Sequence, residues 1–505
     1  MIKRLTTKFD PNDFKFAFNG VVSRRAAWFF VLIAICFLLS SLSAFAAALQ
    51  KNRLIVLTDI GADPDDTMSM VRLLLYSDEI DIEGLIATTS CWKQKSVSPE
   101  LIRRVIEAYG KVQPNLDRNE PGFPTADFLL QKLKSGLPQY GLLGVGEGAD
   151  SAGSDWIIKV LEENDDRPVW VTAWGGVNTL AQALFEIKKT MTRAGADRLI
   201  AKLRVYTISD QDDSGIWIRT NFPNLFYIVS PGDDYGSATW NAINTVVDGI
   251  DNGKISNRWL AENIQQNHGP LGAVYPDVAY GMEGDTPSWL NLIPNGLSDP
   301  DHPDWGGWGG RYEFYKPDFA STRKGGSGVP HEPETRAIWT DAVDNYTPDV
   351  SSEFGRAMKP SDKTFRDNKV TLWRWRDDFQ NDFAARMNWC IRSYRECNHP
   401  PVPALRGPEK ITVGSGQGFV LDASGTTDPD GDSLSFLWFN YPEAGSYHQR
   451  IKIESAENMR AVWVIAPEVQ KSETAHFILK VTDKGTPPLT RYERVIVTIL
   501  PKQKI

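Results

Sequence analysis

Cysteine is scarce in this sequence, and no paired CxxC spacing occurs. Four cysteines in 505 residues, spaced this way, argue against a metal role for the thiols. Basic runs are lacking too: behind the N-terminal segment there is no long stretch of Lys and Arg, and the formal net charge is −9. Phosphate contacts need clustered positive charge, so nucleic acid is excluded as a partner. What remains is a globular profile, with 41% hydrophobic and 24% charged residues. A chain this long exceeds one ordinary core and implies two or three domains. Tryptophan, at 17 residues, is abundant enough to direct attention to surfaces that stack on sugar rings.

The clearest apolar run covers residues 26–42, behind Arg24 and Arg25 and ahead of Ser43, Ala44, Phe45 and Ala46. A positive flank, an apolar stretch and a small-x-small site read as a signal peptide over residues 1–46, cut after Ala46. The expected location is secreted or periplasmic, with no membrane association after cleavage. A retained anchor is the alternative, because about 17 apolar residues can just span a bilayer. Ser23-Arg24-Arg25 lacks the rest of a twin-arginine motif, and Cys36 lacks the residues that precede a lipoprotein cysteine. Of the remaining thiols, Cys91 is expected to be buried. Cys390 and Cys397 are near enough in sequence for a small disulfide in an oxidising compartment.

Apolar runs at 54–57, 82–89, 169–173 and 203–208 read as buried strands, and the segments at 67–75, 101–109 and 179–189 as helices. Strands alternating with helices imply an α/β domain over residues 50–398, built on a mostly parallel sheet with helices on both faces. Ligands bind beyond the carboxyl ends of such strands, where residues 59–66, 174–178 and 209–214 would lie. From about residue 257 to 346, Gly, Pro, Trp and Asp dominate and periodicity fades. The segment 302–311 reads as a functional loop, and residues 371–388 as a helix packing back on the first domain. His399-Pro400-Pro401-Val402-Pro403 reads as a stiff linker. Beyond it the period becomes two, at 418–421, 433–439, 461–465, 476–482 and 491–500, which implies an antiparallel β-sandwich over residues 399–505. Asp422-Ala423-Ser424-Gly425 and Asp428-Pro429-Asp430-Gly431-Asp432 resemble turns of the immunoglobulin-like modules of secreted bacterial enzymes; a second calcium site and a plain turn explain the latter equally well.

The chemistry concentrates in Thr58-Asp59-Ile60-Gly61-Ala62-Asp63-Pro64-Asp65-Asp66. Four carboxylates within eight residues repel one another unless something pairs them. A hard divalent cation does so, and calcium takes carboxylate and carbonyl oxygens. An acidic helix N-terminus is the alternative, although two acids would suffice for it. The turn resembles the signature of the nucleoside hydrolases, in which a strand ends in Asp, a short turn follows, and an Asp-Asp pair opens a helix. Here the turn is two residues longer, with Asp63-Pro64 ahead of the pair. Val171-Thr172-Ala173-Trp174-Gly175-Gly176-Val177-Asn178 is similar to the family's second motif. The order of these segments with Arg72-Leu73-Leu74-Leu75-Tyr76-Ser77, Ser209-Asp210-Gln211-Asp212-Asp213-Ser214-Gly215, Gly281-Met282-Glu283-Gly284-Asp285-Thr286-Pro287-Ser288 and the Trp305–Arg311 stretch resembles a group of secreted cellulose-binding proteins. These join a nucleoside hydrolase-like domain to an immunoglobulin-like module.

The resemblance implies calcium held by Asp59, Asp66, the Trp174 carbonyl and Asp285, with Asp59 as general base for a water attacking an anomeric carbon. It also implies sugar contacts at Asp65 and Asn221, the latter otherwise an ordinary turn residue before Phe222-Pro223. The family's His ahead of the late Asp is missing: that position is Gly284, and Glu283, His268 or His331 are its candidate substitutes. Two functions follow as expectations. One is a calcium-dependent glycosyl hydrolase acting on a carbohydrate or nucleoside-like small molecule. The other is a non-catalytic binder of cellulose or another plant-wall polysaccharide, with Trp305 and Trp308 as stacking platforms. Trp438, Phe439 and Tyr441 are further aromatics of the C-terminal module, and core packing is expected for Trp438 and Trp463.

Overall fold

The computed structural model describes residues 50–232, 239–248, 250–318, 328–329, 332–348, 363–454 and 458–502. The expected signal peptide and His331 lie outside the described residues. Among the described residues no helix is long and apolar enough to cross a membrane.

Eight strands form the first sheet: β1 (Asn52–Thr58), β2 (Ile80–Ala87), β3 (Leu133–Ser135), β4 (Val169–Ala173), β5 (Leu203–Thr207), β6 (Phe226–Val229), β7 (Tyr312–Tyr315) and β8 (Ile338–Asp341). Their order is β3-β2-β1-β4-β5-β6-β8-β7, parallel throughout except for β7 against β8. Helices α1 (Asp65–Leu74), α2 (Pro99–Gly110), α3 (Ala152–Glu162), α4 (Asn178–Thr190) and α5 (Ser214–Asn221) follow strands of the sheet. Successive residues of β1 point to opposite faces. Leu54 and Val56 enter one apolar core, Ile55 and Leu57 another. Both faces are therefore covered, which is why the strand is apolar without alternation. Each such side chain contributes roughly 1.5–3 kcal/mol by leaving water.

The strand order reverses between β1 and β4, the place where an open α/β sheet forms its ligand crevice. The sheet's last two strands, β7 and β8, come from the segment expected to be loop. Four-residue strands at a sheet margin, set in a segment rich in Gly and Pro, carry too short a pattern to be read from periodicity.

The C-terminal module is a two-sheet sandwich. β11 (Lys410–Gly414), β17 (Thr490–Leu500), β16 (Glu473–Thr482) and β13 (Ser435–Asn440) form one sheet; β12 (Gly418–Asp422), β15 (Ala461–Ile465) and β14 (Ile453–Glu454) form the other. A short pair, β9 (Asp344–Tyr346) and β10 (Phe365–Asp367), precedes it. The sandwich is not wholly antiparallel, because β11 runs parallel to β17.

The two domains form one compact unit from Asn52 to Ile505. Helix α6 (Arg376–Trp389) joins them. Asp378 accepts from Lys480 Nζ at 2.8 Å and from the Tyr492 hydroxyl, while Asp382 pairs with Arg491 at 2.5 Å. Asp344 is shared by Arg311 (2.7 Å), Arg374 (3.0 Å) and the Tyr441 hydroxyl (2.6 Å). Ile478 and Tyr492 of the sandwich lie in the same apolar core as Leu54 and Val56. The expected linker at 399–403 therefore does not separate independent bodies. The expected disulfide is also absent: Cys390 and Cys397 are free thiols. The helix runs on to Trp389, and the buried Cys390 Sγ contacts Arg386 O of its own helix at 3.6 Å.

Candidate functional site

The acidic turn leaves the end of β1 as expected. Gly61, at φ +89°, turns the chain where a side chain would strike Leu101 Cδ1 at 2.7 Å. Pro64 caps α1, and Asp65 and Asp66 occupy its first turn, where the helix dipole favours negative charge. Thr58 Oγ1 donates to Asp66 Oδ1. The Asp65 backbone N–H donates to Asp63 Oδ1 at 3.1 Å, and that of Asp66 to Asp65 Oδ1 at 3.0 Å. Oxygens of Asp63, Asp65 and Asp66 all lie within 4.8 Å of one another. Asp63, the extra residue of the longer turn, thus belongs to the cluster.

The Gly pair just past the end of the neighbouring strand β4 is there for close approach. A methyl group on Gly175 would meet the Asp59 side chain at 2.7 Å, and one on Gly176 would meet Asp212 Oδ2 at 2.4 Å. Asp212 also accepts the Asn178 N–H at 3.1 Å and the Ser214 N–H at 2.9 Å. Trp174 is buried, with Nε1 donating to Ser288 Oγ at 3.1 Å. Its carbonyl accepts from Gln211 Nε2, leaving one lone pair. Thr286 Oγ1 donates to Ser69 Oγ of α1 at 2.9 Å. These bonds bring Asp285 to the acids: Asp65, Asp66, Asp63 and Asp59 all raise its pKa, after burial as the largest cause.

Asp59, Asp65, Asp66 and Asp285 are all pushed upward, first by desolvation and then by neighbouring carboxylates. Asp65 and Asp66 rise well above the carboxylate range, and Asp59 reaches about 6 despite a hydrogen bond from the Ser90 side chain. Burial lifts Asp212 to about 7. Lys93 lies close enough to interact electrostatically with Asp59 and Asp66, but its Nζ donates to Ile60 O and Ser98 Oγ, both at 2.6 Å. Asp285 Oδ2 is buried and has no hydrogen-bond partner. An unpaired buried carboxylate oxygen beside other carboxylates is costly, and an oxygen-loving cation is the group that would complete it.

Asp59, Asp65, Asp66, Asp285 and Trp174 therefore meet at one crevice. Five other expected residues do not. Asn221 is exposed at the end of α5 and donates to Trp217 O at 3.0 Å; a helix following β5 ends at the opposite edge of the sheet. Glu283 is buried at φ +55°. It is held by Arg72 at 2.6 Å, the Tyr275 hydroxyl at 2.8 Å and Thr286 Oγ1 at 3.3 Å, so its lone pairs are engaged away from a substrate. Trp308 is wholly buried and donates to the Tyr492 hydroxyl at 3.3 Å. Its flanking glycines mark contact rather than a loose loop: a methyl on Gly307 would meet Ser298 Oγ at 2.1 Å, one on Gly309 the Pro287 carbonyl at 2.6 Å. Trp305 is half-buried at the domain junction, in a cleft of about 250 Å³ with Asp299, Glu409, Lys410 and Glu493. His302 stacks on it at 3.9 Å and 4°, so that face is not bare. His268 is buried near Asn388 and Arg392, and burial lowers its pKa.

One site residue has no motif behind it. Trp240 donates Nε1 to Asp65 Oδ2 at 2.8 Å. Its ring lies over Gly284, where a methyl group would come within 1.8 Å of the indole nitrogen. The position where the His is missing is thus filled by a tryptophan from elsewhere in the chain. A lone Gly in Glu283-Gly284-Asp285 signals close approach in principle, but not by what.

The reversed strand order, the acidic turn at the end of β1 and the Gly-Gly turn at the end of β4 define a nucleoside hydrolase-like α/β domain. The model of the family described as cellulose-binding Sde182, nucleoside hydrolase-like domain, matches residues 53–312, and that of the cellulose-binding protein Sde0182 C-terminal domain matches residues 418–499. The chain belongs to this family. A solved structure of a nucleoside hydrolase-related hypothetical protein from Saccharophagus degradans, described as associated with carbohydrate metabolism, is 35% identical. The alignment covers 89% of this chain and 100% of that one, at a TM-score of 0.75. No curated protein matches.

Proposed function

We propose that this is an exported polysaccharide-binding protein, with cellulose as partner, on a nucleoside hydrolase scaffold that retains a calcium site. The observation that carries the binding reading is the Trp240 indole. Asp65, the residue expected to grip a sugar hydroxyl, already accepts Trp240 Nε1–H, and the side chain expected to assist a leaving group is absent at Gly284. The family description, cellulose-binding, supports the same partner. Asp59, Asp66, Asp285 and the free lone pair of the Trp174 carbonyl would hold the cation, with Asp63 and Asp65 beside them. The orphaned Asp285 Oδ2 fits that role. A bound calcium ion offsets the repulsion among the acids and supplies Lewis acidity. The test is retention of the mature protein on microcrystalline cellulose; a protein that stays in the supernatant refutes the reading.

A second reading, calcium-dependent cleavage of a glycosyl bond in a carbohydrate or nucleoside-like substrate, is favoured by the placement of Asp59. Its carboxylate sits against Gly175 between Ser90 and the acidic cluster. There it would orient a water and take its proton. Release of reducing sugar from nucleosides or wall oligosaccharides, lost in Asp59→Asn, would establish this reading; no release from either substrate removes it.

A further inference from the structure

A two-sheet sandwich has two outer faces, and among the described residues only one of them is occupied. The four-stranded sheet meets the α/β domain through Lys480, Tyr492 and Arg494. The three-stranded sheet is the other layer. On β12 and β15 the residues Phe419, Leu421, Val462 and Val464 enter the sandwich core. Their alternates Val420, Trp463 and Ile465 are 54%, 52% and 61% exposed. Val420 pairs directly with Trp463, Gly418 with Ile465, and Asp422 with Ala461, so these side chains share one surface. Core packing was the expectation for Trp463. The structure reverses it, because Ala461-Val462-Trp463-Val464-Ile465 is apolar in both phases of the alternation and the core takes the valines.

The Trp463 ring does not stand away from the sheet. A methyl group on Gly418 would come within 1.9 Å of its Cζ2 and 2.6 Å of its Cε2, so the indole lies down over the glycine. One ring face is held by the sheet and the other turns outward, flanked by Val420 and Ile465. Along β12 and β15 the strip is uncharged apart from Asp422 at one end, whose carboxylate accepts the Ser424 N–H at 2.7 Å; Glu454 of β14 pairs in register with Trp463 on the other side of β15.

We infer that this strip is the surface that docks on the flat face of a β-1,4-glucan chain, an inference that rests on the polysaccharide-binding reading above. Equatorial hydroxyls leave the faces of such a chain covered with C–H groups, neutral and apolar. A fixed aromatic ring with aliphatic flanks matches that face in shape and apolar character, while the indole edge is polar and suits the hydroxyl rim. A second copy of the protein is a poorer match. Three half-exposed side chains offer on the order of 200–300 Å², against about 800 Å² per partner in a stable dimer. Trp305 and Trp308 do not compete for the role, since His302 covers one and the core encloses the other.

The experiment is a depletion isotherm of the full mature chain on microcrystalline cellulose, comparing wild type with Trp463→Ala, Trp463→Phe and Val420→Lys. Sedimentation velocity is run on the same samples. Because the altered side chains are exposed, thermal midpoints should stay at the wild-type value. Retention should fall at least tenfold in Trp463→Ala and Val420→Lys, and remain within about threefold of wild type in Trp463→Phe. Wild-type retention in Trp463→Ala and Val420→Lys overturns the assignment of this face and leaves the binding reading standing. A wild-type protein that is not retained overturns both. A wild-type dimer that dissociates in the variants, with retention unchanged, assigns the face to a second copy instead.

Discussion

Replacing Gly284 by alanine should loosen the acidic site through a residue more than 40 positions away in sequence. The new methyl group would lie 1.8 Å from Trp240 Nε1 and 2.2 Å from its Cδ1, where ordinary contact begins near 3.4 Å. The ring must therefore retreat by roughly 1.5 Å, enough to break its 2.8 Å bond to Asp65 Oδ2. A hydrogen bond to a charged group contributes about 1.5–3 kcal/mol, and overpacking of this kind costs about 1–3 kcal/mol. Gly284 is not at positive φ, so the backbone accepts alanine. The entropic gain of about 0.4–1 kcal/mol from Gly→Ala is too small to offset the clash. The variant should be less stable by about 2–5 kcal/mol. Denaturant unfolding followed by tryptophan fluorescence reads this as a lower midpoint for the first transition. In a Trp240→Ala background the clash is gone, so adding Gly284→Ala should change stability by less than about 1 kcal/mol. A single variant as stable as wild type, or a double variant showing the full additive loss, refutes the argument.

Three further outcomes are expected. Calcium should raise the thermal midpoint of the wild type, by about 2.7 kcal/mol of stability at a concentration a hundredfold above its dissociation constant, and should raise that of Asp285→Asn far less; equal gains would remove Asp285 from the site. Arg72→Met leaves Glu283 buried without its counter-charge, held only by the Tyr275 and Thr286 hydroxyls, and should cost about 3–5 kcal/mol; Arg72→Met with Glu283→Gln should recover most of that loss in the same denaturation assay. His476 is buried beside Arg494, which bonds its Nδ1 at 2.9 Å, and burial and the guanidinium depress its pKa from 6.5 to about 3. The folded state thus binds the proton less readily than the unfolded chain, so this contribution is intact above pH 6.5 and declines as pH falls towards 3. His476→Gln should flatten that part of the pH–stability curve, and an unchanged slope would count against the assignment.

Local features of this chain were legible because local physics decides them. The apolar runs of β1, β4 and β5 announce strands buried on both faces, and Gly61, Pro64 and the acids behind them announce a turn opening a helix. The Gly175-Gly176 pair announces a close approach, and the strand–helix alternation puts Asp59 and Trp174 at one edge, whereas only the resemblance to nucleoside hydrolases points to Asp285. Positions that depend on what packs against them were not legible. Trp308 sits between glycines, which reads as an exposed loop, yet those glycines admit the Ser298 side chain and the Pro287 carbonyl and the ring is sealed inside. Asn221 precedes a Phe-Pro turn, but the length of α5 carries it to the far edge of the sheet. Trp240 is joined to Asp65 across 175 residues, a separation at which no spacing rule operates. Trp438 and Trp463 stand in similar apolar strands, and only the sandwich decides that one fills the core while the other lies open on Gly418. Chain-local sterics and hydrophobic period set the elements and the acidic turn; which face of each element meets protein and which meets solvent is a property of the assembled core.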